Sequence, residues 1–412
     1  MRRLLLLTAL LLLPGLEQAN APASASVHVA AGRKPLLATS GGPTSRLFLA
    51  DPVSLRPVGA QSLRLGFNWG DFALSPNGSL LALSRNDAAE LRFVHLAGRL
   101  RFAGSMRFPR GFVRLLAWPS ADMLLALLDT APRRVLAIDP GARKVLWQRS
   151  IGGSVLEVER SRDVLVMLVA PAERIGPATI VTIGVDGSLR SVVLDRVLAG
   201  FERSAGSPDS VGETRLPGLA VDPDGKRAYV VGEGHPVARV DLAAMSVTYH
   251  GGSRWLAKAV RGPQRQVIWL GNGRLAVVGT EWRVRTDPQG NVRQTVTPSG
   301  LFLIDAHTWA TRLLQRDATT AIAVGGSLLA YDASSTSAPN AGTGSGLTVY
   351  GLDGRRRAHL FGRTPISSVE AQAGLAYVWL PDRAGRVAVV DPKSGRVLAD
   401  VTRPPIALLI RR

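Results

Sequence analysis

Residues Leu216–His250 read LPGLAVDPDGKRAYVVGEGHPVARVDLAAMSVTYH, in which four short apolar runs are separated by turn sequences. The runs predict strands at Leu219–Val221, Arg227–Val231, Val237–Asp241 and Met245–Tyr249. The first turn has the sequence DPDG, in which proline fixes φ and aspartate bonds back to the backbone. Because the runs are almost continuously apolar, we expect both faces of each strand to be buried, as in stacked sheets.

The same four-stranded unit recurs along the chain at a spacing of about 45 residues. Each unit consists of an inner hairpin, formed by its first two strands, and an outer hairpin, formed by its last two. About seven complete inner hairpins can be recognised, and about eight outer hairpins, which begin near Leu47, Leu91, Val135, Ile180, Val237, Leu301, Leu347 and Val387. Such a period, with four antiparallel strands in each unit, is typical of a β-propeller. The predicted fold class is therefore all-β, with four-stranded antiparallel blades.

The two ends of the chain each carry half of a further sheet. Leu36–Thr39 resembles a second strand without a first, and Ile406–Leu409 resembles a first strand without a second. Joined in one blade, they would close the ring and leave no sheet edge open. This count favours eight blades, with seven as the alternative. An open solenoid would need capping repeats at its ends, and neither end resembles a cap.

Composition limits the partners that the chain can have. The 412 residues carry a formal net charge of +19, which favours an anionic small molecule, polysaccharide or protein as partner. Nucleic acid is not expected, because the chain has no basic helix and no aromatic RNA-binding motif. The absence of cysteine excludes disulfides, thiolate metal sites and a cysteine nucleophile. We expect a monomer.

The N-terminus has the features of a secretory signal peptide. Arg2 and Arg3 precede the apolar run Leu4–Leu13, which is too short to span a bilayer, and small-x-small cleavage sites follow. We assign residues 1–25 to the signal peptide and residues 33–412 to a single propeller domain. No later segment is apolar for long enough to cross a membrane as a helix, so we expect a secreted, periplasmic or cell-surface protein.

Three insertions interrupt the period. Residues 196–215 are long and polar, residues 281–298 are expected to form an extra hairpin, and residues 334–346 are of low complexity.

One unit resembles a known repeat. The DPDGK turn, the strand around Tyr229 and the strand Val237–Asp241 are similar to the YVTN-type repeat of bacterial β-propellers. Residues Phe72–Ser84, FALSPNGSLLALS, resemble the same hairpin, which is also found in WD40-like and TolB-like repeats. The resemblance implies a secreted or periplasmic propeller. Its relatives include lactonase-like enzymes, dehydrogenase subunits and binding scaffolds, so the fold does not specify the function.

Two patterns fall on the loops that follow the second strands and precede the first strands, where propellers usually bind ligands. A carboxylate follows the second strand at Asp129, Glu233, Glu281, Asp332 and Asp382, and His235 lies in the same loop as Glu233. Oxygens from successive blades could hold Ca²⁺ or another divalent cation, or could supply an acid and a base to a substrate. The alternative is that each is a solvated residue that ends its strand.

Arginine recurs in the segments that enter first strands. The instances are Arg64, Arg107 or Arg110, Arg149, Arg215, Arg254, Arg316, Arg363 and Arg403. Arginine makes bidentate contacts to carboxylate and phosphate, so a ring of arginines could receive an anionic ligand. Alternatively, these arginines pair with the carboxylates on the same loops.

We therefore expect an exported propeller that binds an anionic ligand, glycan or protein through the mouth of its central channel. The alternative is a propeller hydrolase or lactonase with a carboxylate-bound divalent metal. The residues expected to bind ligand are Asp129, Glu233, His235, Glu281, Asp332, Asp382, Arg149, Arg215, Arg254, Arg316, Arg363 and Arg403. No catalytic residue and no firm metal site follow from the sequence.

Overall fold

Eight antiparallel sheets make up the part of the chain that the computed structural model describes. The described residues are 34–40, 44–66, 69–86, 88–130, 132–161, 164–203, 211–233, 237–251, 263–286, 292–333, 344–381 and 385–410. Each sheet is a blade of four strands, and two blades carry a fifth strand. The predicted eight-bladed propeller is thus confirmed, and the seven-bladed alternative is wrong.

The strands run as follows, and the blades are numbered along the chain. Blades 1 to 4 contain β1 Leu36–Thr39, β2 Arg46–Ala50, β3 Pro57–Arg64; β4 Trp69–Leu74, β5 Leu80–Arg85, β6 Glu90–His95, β7 Arg101–Arg107; β8 Phe112–Ser120, β9 Met123–Asp129, β10 Arg133–Asp139, β11 Lys144–Ile151; and β12 Ser154–Ser161, β13 Val164–Ala170, β14 Gly176–Gly184, β15 Leu189–Arg203, β16 Val211–Arg215. Blades 5 to 8 contain β17 Gly218–Val221, β18 Arg227–Val231, β19 Val237–Asp241, β20 Ser246–His250; β21 Pro263–Gly271, β22 Arg274–Thr286, β23 Val292–Pro298, β24 Leu301–Asp305, β25 Thr311–Gln315; β26 Thr320–Val324, β27 Ser327–Tyr331, β28 Leu347–Gly351, β29 Arg356–Leu360; and β30 Ser368–Gln372, β31 Leu375–Leu380, β32 Arg386–Asp391, β33 Arg396–Thr402. The last strand, β34 Leu408–Ile410, belongs to blade 1.

The two ends of the chain close the ring in blade 1. Strand β34 pairs antiparallel with β1, with Ala38 opposite Leu409 and Leu37 opposite Ile410. The C-terminal strand therefore supplies the first strand of a sheet whose other three strands come from the N-terminal part. This pairing confirms the predicted shared blade.

The hydrophobic core consists of layers between neighbouring blades. The buried apolar side chains of the described residues form eight clusters, one at each interface between blades. In β18, Ala228 and Val230 face blade 4, whereas Tyr229 and Val231 face blade 6. Successive side chains point to opposite faces of a strand, so a strand with a blade on both sides must be apolar throughout.

The inner turn of blade 5 has the predicted chemistry. The Oδ1 atom of Asp222 accepts hydrogen bonds from the backbone N–H groups of Lys226, at 2.8 Å, and Arg227, at 3.1 Å. Gly225 has a φ of 67°, and a Cβ there would lie 2.8 Å from the Oγ atom of Ser161 in blade 4. The turn therefore needs glycine both for its backbone conformation and for its contact with the neighbouring blade.

Two of the insertions extend blades. Residues 196–215 are not only a polar loop, because β15 continues to Arg203 and pairs with β16. The extra hairpin expected at residues 281–298 is present, since β22 runs on to Thr286 and pairs with β23.

Part of the sequence prediction falls on other segments. The expected signal peptide, residues 1–25, and residues 334–343 of the low-complexity insertion lie outside the described residues. Within the described residues, no helix is long and apolar enough to cross a bilayer.

Candidate functional site

The topology of each blade defines a mouth face, which is the end where first strands begin and second strands end. The loops between second and third strands and the linkers between blades lie at this end, because the strands of each blade are antiparallel. Most of the residues singled out in the sequence come from these segments. Asp382, His235 and Arg254 lie outside the described residues.

The carboxylates at the mouth face are held by groups close to them instead of converging on one point. Asp129 ends β9 in blade 3, and its Oδ1 atom lies 2.8 Å from the Nε atom of Arg133. In blade 7, the Oδ1 atom of Asp332 accepts a hydrogen bond of 3.1 Å from the hydroxyl of Thr319. The two acids thus belong to separate blades and to separate networks.

Glu233 has an arginine partner that was itself a candidate. Its carboxylate forms an ion pair with Arg215, and Arg215 is also paired with Glu213. The pairing joins the loop after β18 to the segment that enters blade 5. The sequence left open that arginines at the mouth pair with carboxylates on the same loops, and Arg215 and Glu233 form such a pair.

Glu281 forms the most buried of the ion pairs between described residues. Its Oε1 atom lies 2.9 Å from the Nη2 atom of Arg265, and Arg265 is only 2% exposed. The guanidinium also donates to the backbone carbonyls of Gln264 and Thr280. Burial lowers the pKa of Arg265, against the opposing effect of the Glu281 carboxylate. The pair links β21 to β22 and has a structural role.

The candidate arginines differ in position and surroundings. Arg316, Arg363 and Arg403 are exposed on three consecutive linkers, which lead into blade 7, blade 8 and the final strand of blade 1. Arg149 lies inside the fourth strand β11, and its Nε atom donates to the carbonyl of Gly187 at 2.8 Å. That contact joins blade 3 to an outer turn of blade 4, on the face opposite the mouth.

Closer to the axis, side chains of one blade bind the first strand of the next. The first strand has no neighbour on its channel side, so its outward N–H groups need other acceptors. The bonds run from Leu115 N–H to Asp71 Oδ2 at 2.8 Å, from Leu219 N–H to Glu157 Oε2, from Ala321 N–H to Gln266 Oε1 at 3.4 Å, from Val369 N–H to Tyr331 Oη at 3.3 Å, and from Leu409 N–H to Glu370 Oε2 at 3.1 Å. We call these the inter-blade bonds.

The donors of the inter-blade bonds occupy one position in the repeat. Their partners on the second strand are equivalent residues, as the pairs Leu115–Ala126, Leu219–Val230, Ala321–Ala330, Val369–Val378 and Leu409–Ala38 show. At this height, blades 1, 3, 5, 7 and 8 are each fastened to the blade before them.

A polar cavity of about 580 Å³ lies beside these bonds on the channel side. Its lining comes from the first strands of blades 3 to 7, and the polar side chains among that lining are Arg114, Glu157, Glu159, Gln266 and Trp269. The cavity brings together groups from distant parts of the chain, which makes it the best-formed candidate binding site among the described residues.

The acids near the cavity are shifted toward their neutral forms. Burial raises the pKa of Glu157 to about 8, an effect opposed by the Leu219 N–H, increased by the charge of Glu159 and opposed by Arg114. Burial also raises the pKa of Glu159 and of Asp71. At neutral pH the cavity therefore holds a protonated carboxyl at Glu157 beside the Arg114 cation.

Sequence reasoning did not select Asp71, Arg114, Glu157, Glu159 or Gln266. The sequence feature that could have identified them is the presence of charged residues within apolar first strands. Residues Val155–Glu159, which read VLEVE, are an example. No three His, Asp or Glu side chains within the described ranges come together as a metal site.

One comparison with a solved structure supports the fold. The chain is similar to the solved structure of dihydro-heme d1 dehydrogenase NirN in complex with DHE, with 12% identity, a TM-score of 0.59, and coverage of 91% of this chain and 75% of that one. It also matches BamB from Moraxella catarrhalis with 11% identity, a TM-score of 0.49, and coverage of 85% and 95%. No protein-family model and no curated protein matches the chain, so the YVTN and WD40 resemblance is not confirmed.

The Arg265–Glu281 pair can be tested by neutralising its acid. Glu281→Gln would leave the buried Arg265 charge without its carboxylate, so we expect the free energy of unfolding to fall by about 3 kcal/mol. Denaturant titration gives the value. Asp129→Asn is the matched control, because the Asp129 side chain is 50% exposed and its pair should contribute less than about 1 kcal/mol. Equal losses in the two variants would contradict the structural role of the buried pair.

The raised pKa of Glu157 predicts that the free energy of unfolding depends on pH. Between the ordinary value of 4.5 and about 8, the folded chain keeps a proton that the unfolded chain has released, so stability falls as pH rises across this interval. Glu157→Gln keeps an acceptor for Leu219 and cannot ionise. We expect its gain in unfolding free energy over the parent protein to grow from near zero at pH 4.5 to about 4 kcal/mol at pH 8.

Asp353→Asn serves as the control for Glu157→Gln. Asp353 is exposed in an outer turn, and the N–H of Arg355 lowers its pKa, so its removal should give no gain that grows with pH. A difference between Glu157→Gln and the parent that is constant from pH 4.5 to pH 8 would show that folding does not raise the pKa of Glu157.

Proposed function

We propose that this chain is an exported β-propeller that binds an anionic partner through its mouth face and acts by binding, without catalysis. The observation that carries the proposal is the division of charges on that face. Its described carboxylates at Asp129, Glu233 and Glu281 are already paired with arginines. The linker arginines Arg316, Arg363 and Arg403 are exposed and set the charge that a partner meets.

The overall charge supports an anionic partner. With 50 Lys and Arg residues against 31 Asp and Glu, the chain attracts anions at long range and at rates that fall with salt. The three arginines lie on separate, consecutive linkers, so a partner with several spaced anionic groups fits them better than a compact ion. An acidic polysaccharide has this character, and it is the partner class that we favour over a protein or a small molecule.

The alternative, a hydrolase or lactonase with a carboxylate-bound metal, requires carboxylates that converge. Those described on the mouth face lie in different blades, and each already has an arginine or threonine partner. No observation on this face favours the enzyme over a binding protein.

The proposal also places the chain outside the cytoplasm. It rests on the charged start, the short apolar run and the small-residue cleavage sites within residues 1–25. A secreted, periplasmic or cell-surface location would bring the basic face into contact with anionic glycans.

Binding to immobilised heparin, used as a model polyanion, tests the proposal. The triple variant Arg316→Ala, Arg363→Ala, Arg403→Ala should elute from the column at clearly lower salt than the parent protein lacking residues 1–25. Each contact between an arginine and a sulfate group of heparin releases counterions, so its loss weakens binding and makes it less dependent on salt. The control removes three exposed cations at the opposite face, by Arg99→Ala, Lys393→Ala and Arg396→Ala.

Both triple variants lose the same formal charge, so the difference between them reports position. A larger loss for the mouth-face variant is the expected result. Equal losses would show that heparin reads only the net charge, and a larger loss for the control would move the binding face to the other side of the ring. Either of these results would contradict the proposal.

A further inference from the structure

Inter-blade bonds are present at five interfaces, and the interface between blades 3 and 4 has none among the described residues. The acceptors Asp71, Glu157 and Gln266 occupy equivalent positions on their first strands, opposite Ser84, Leu168 and Val278 of the second strands. In blade 3 the equivalent position, opposite Leu127, is Arg114. A guanidinium carries only donors, so Arg114 cannot accept the bond that an acid or an amide accepts there.

The donor on the other side of this interface is Val158. Val158 pairs with Met167, which is the register of Leu219 with Val230, so its N–H points to the channel side as those of the other donors do. At this height, two donor groups face the gap, one from each blade. Among the described residues, no hydrogen bond engages the Arg114 guanidinium.

The gap opens into the channel cavity. Arg114, Glu157, Val158 and Glu159 all line the cavity, whose volume of about 580 Å³ can hold a small organic molecule. A missing acceptor beside an accessible cavity is a place that a ligand oxygen can fill, and the two donors come from different blades.

We propose that the channel binds a small organic carboxylate, whose oxygens accept hydrogen bonds from the Arg114 guanidinium and from the N–H of Val158. A carboxylate matches both the charge and the planar donor geometry of the guanidinium. Bound in this way, the ligand takes the place of the side-chain acceptors that Asp71, Glu157 and Gln266 provide at the equivalent position.

Of the neighbouring acids, Glu157 is protonated at neutral pH and so does not oppose an anion. Burial keeps Glu157 protonated up to a pKa of about 8, and burial also raises the pKa of Glu159 and Asp71. Among the described residues, Arg114, Glu157 and Glu159 are the charged groups that line the cavity, and Asp71 lies close enough to Arg114 for the two charges to interact. A carboxylate should therefore bind best below about pH 8 and lose affinity as Glu157 ionises.

Ligand-observed NMR can detect such binding at millimolar affinity. The probes are acetate, succinate and citrate, with dimethyl succinate as the uncharged match for succinate and 1,4-diaminobutane as a cation. We expect at least one carboxylate to bind with a Kd of about 10 mM or below, and we expect neither the ester nor the diamine to bind. No binding by any of the three carboxylates, or binding by the diamine instead, would overturn the proposal.

Two variants tie the binding to the named groups. Arg114→Gln should weaken carboxylate binding by about tenfold or more, whereas Arg110→Gln, an exposed position on the linker before the same strand, should leave it unchanged. Glu157→Gln should bind at neutral pH as the parent does and should lose the decline in affinity near pH 8.

Folding of each variant is checked by its thermal transition. A folded Arg114→Gln variant with unchanged affinity would refute the site, and so would a parent protein whose affinity rises with pH. The site is separate from the mouth-face arginines, so the triple variant at Arg316, Arg363 and Arg403 should keep its carboxylate binding. Loss of heparin binding and loss of carboxylate binding therefore report on different proposals.

Discussion

The structure depends on the pairing of the two ends of the chain in one sheet. Strand β34 follows blade 8 in the chain and pairs with β1, so the backbone hydrogen bonds that close the ring lie within blade 1. Once the ring is closed, each blade has two neighbours, and its middle strands can be apolar on both faces. The eight core layers follow from this one pairing.

Closure still leaves the channel side of the first strands as an exposed edge in each blade. Side-chain acceptors such as Asp71 and Glu157 bind the N–H groups of the next blade there, at the cost of burying carboxyls near the axis. The polar lining of the channel is thus a consequence of the architecture. At Arg114 a donor stands where Asp71 and Glu157 place an acceptor, so the channel has donors in excess there, and a ligand can contribute.

The fold could be predicted because its signals are local or periodic. The DPDG turn, the spacing of about 45 residues and the half-sheets at Leu36 and Leu409 can all be read along the chain. The channel site could not, because Glu157 and Leu219 are 62 positions apart and meet only through the register of adjacent blades. A bulge between Val155 and Glu157 further obscures that register. Likewise, the sequence suggested Glu281 as a binding residue. Its pairing with the buried Arg265 depends on packing, which the sequence alone does not show.

Cross-linking the two terminal strands tests the closed ring most directly, because the chain has no cysteine of its own. Ala38 and Leu409 are directly opposite each other, so the double variant Ala38→Cys, Leu409→Cys should form an intramolecular disulfide when folded under oxidising conditions. A gel shift that disappears on reduction reports the bond, with Ala38→Cys, Val193→Cys as the distant control. The closed ring predicts a disulfide in the first pair alone. Free thiols at positions 38 and 409 in the folded, oxidised protein would contradict it.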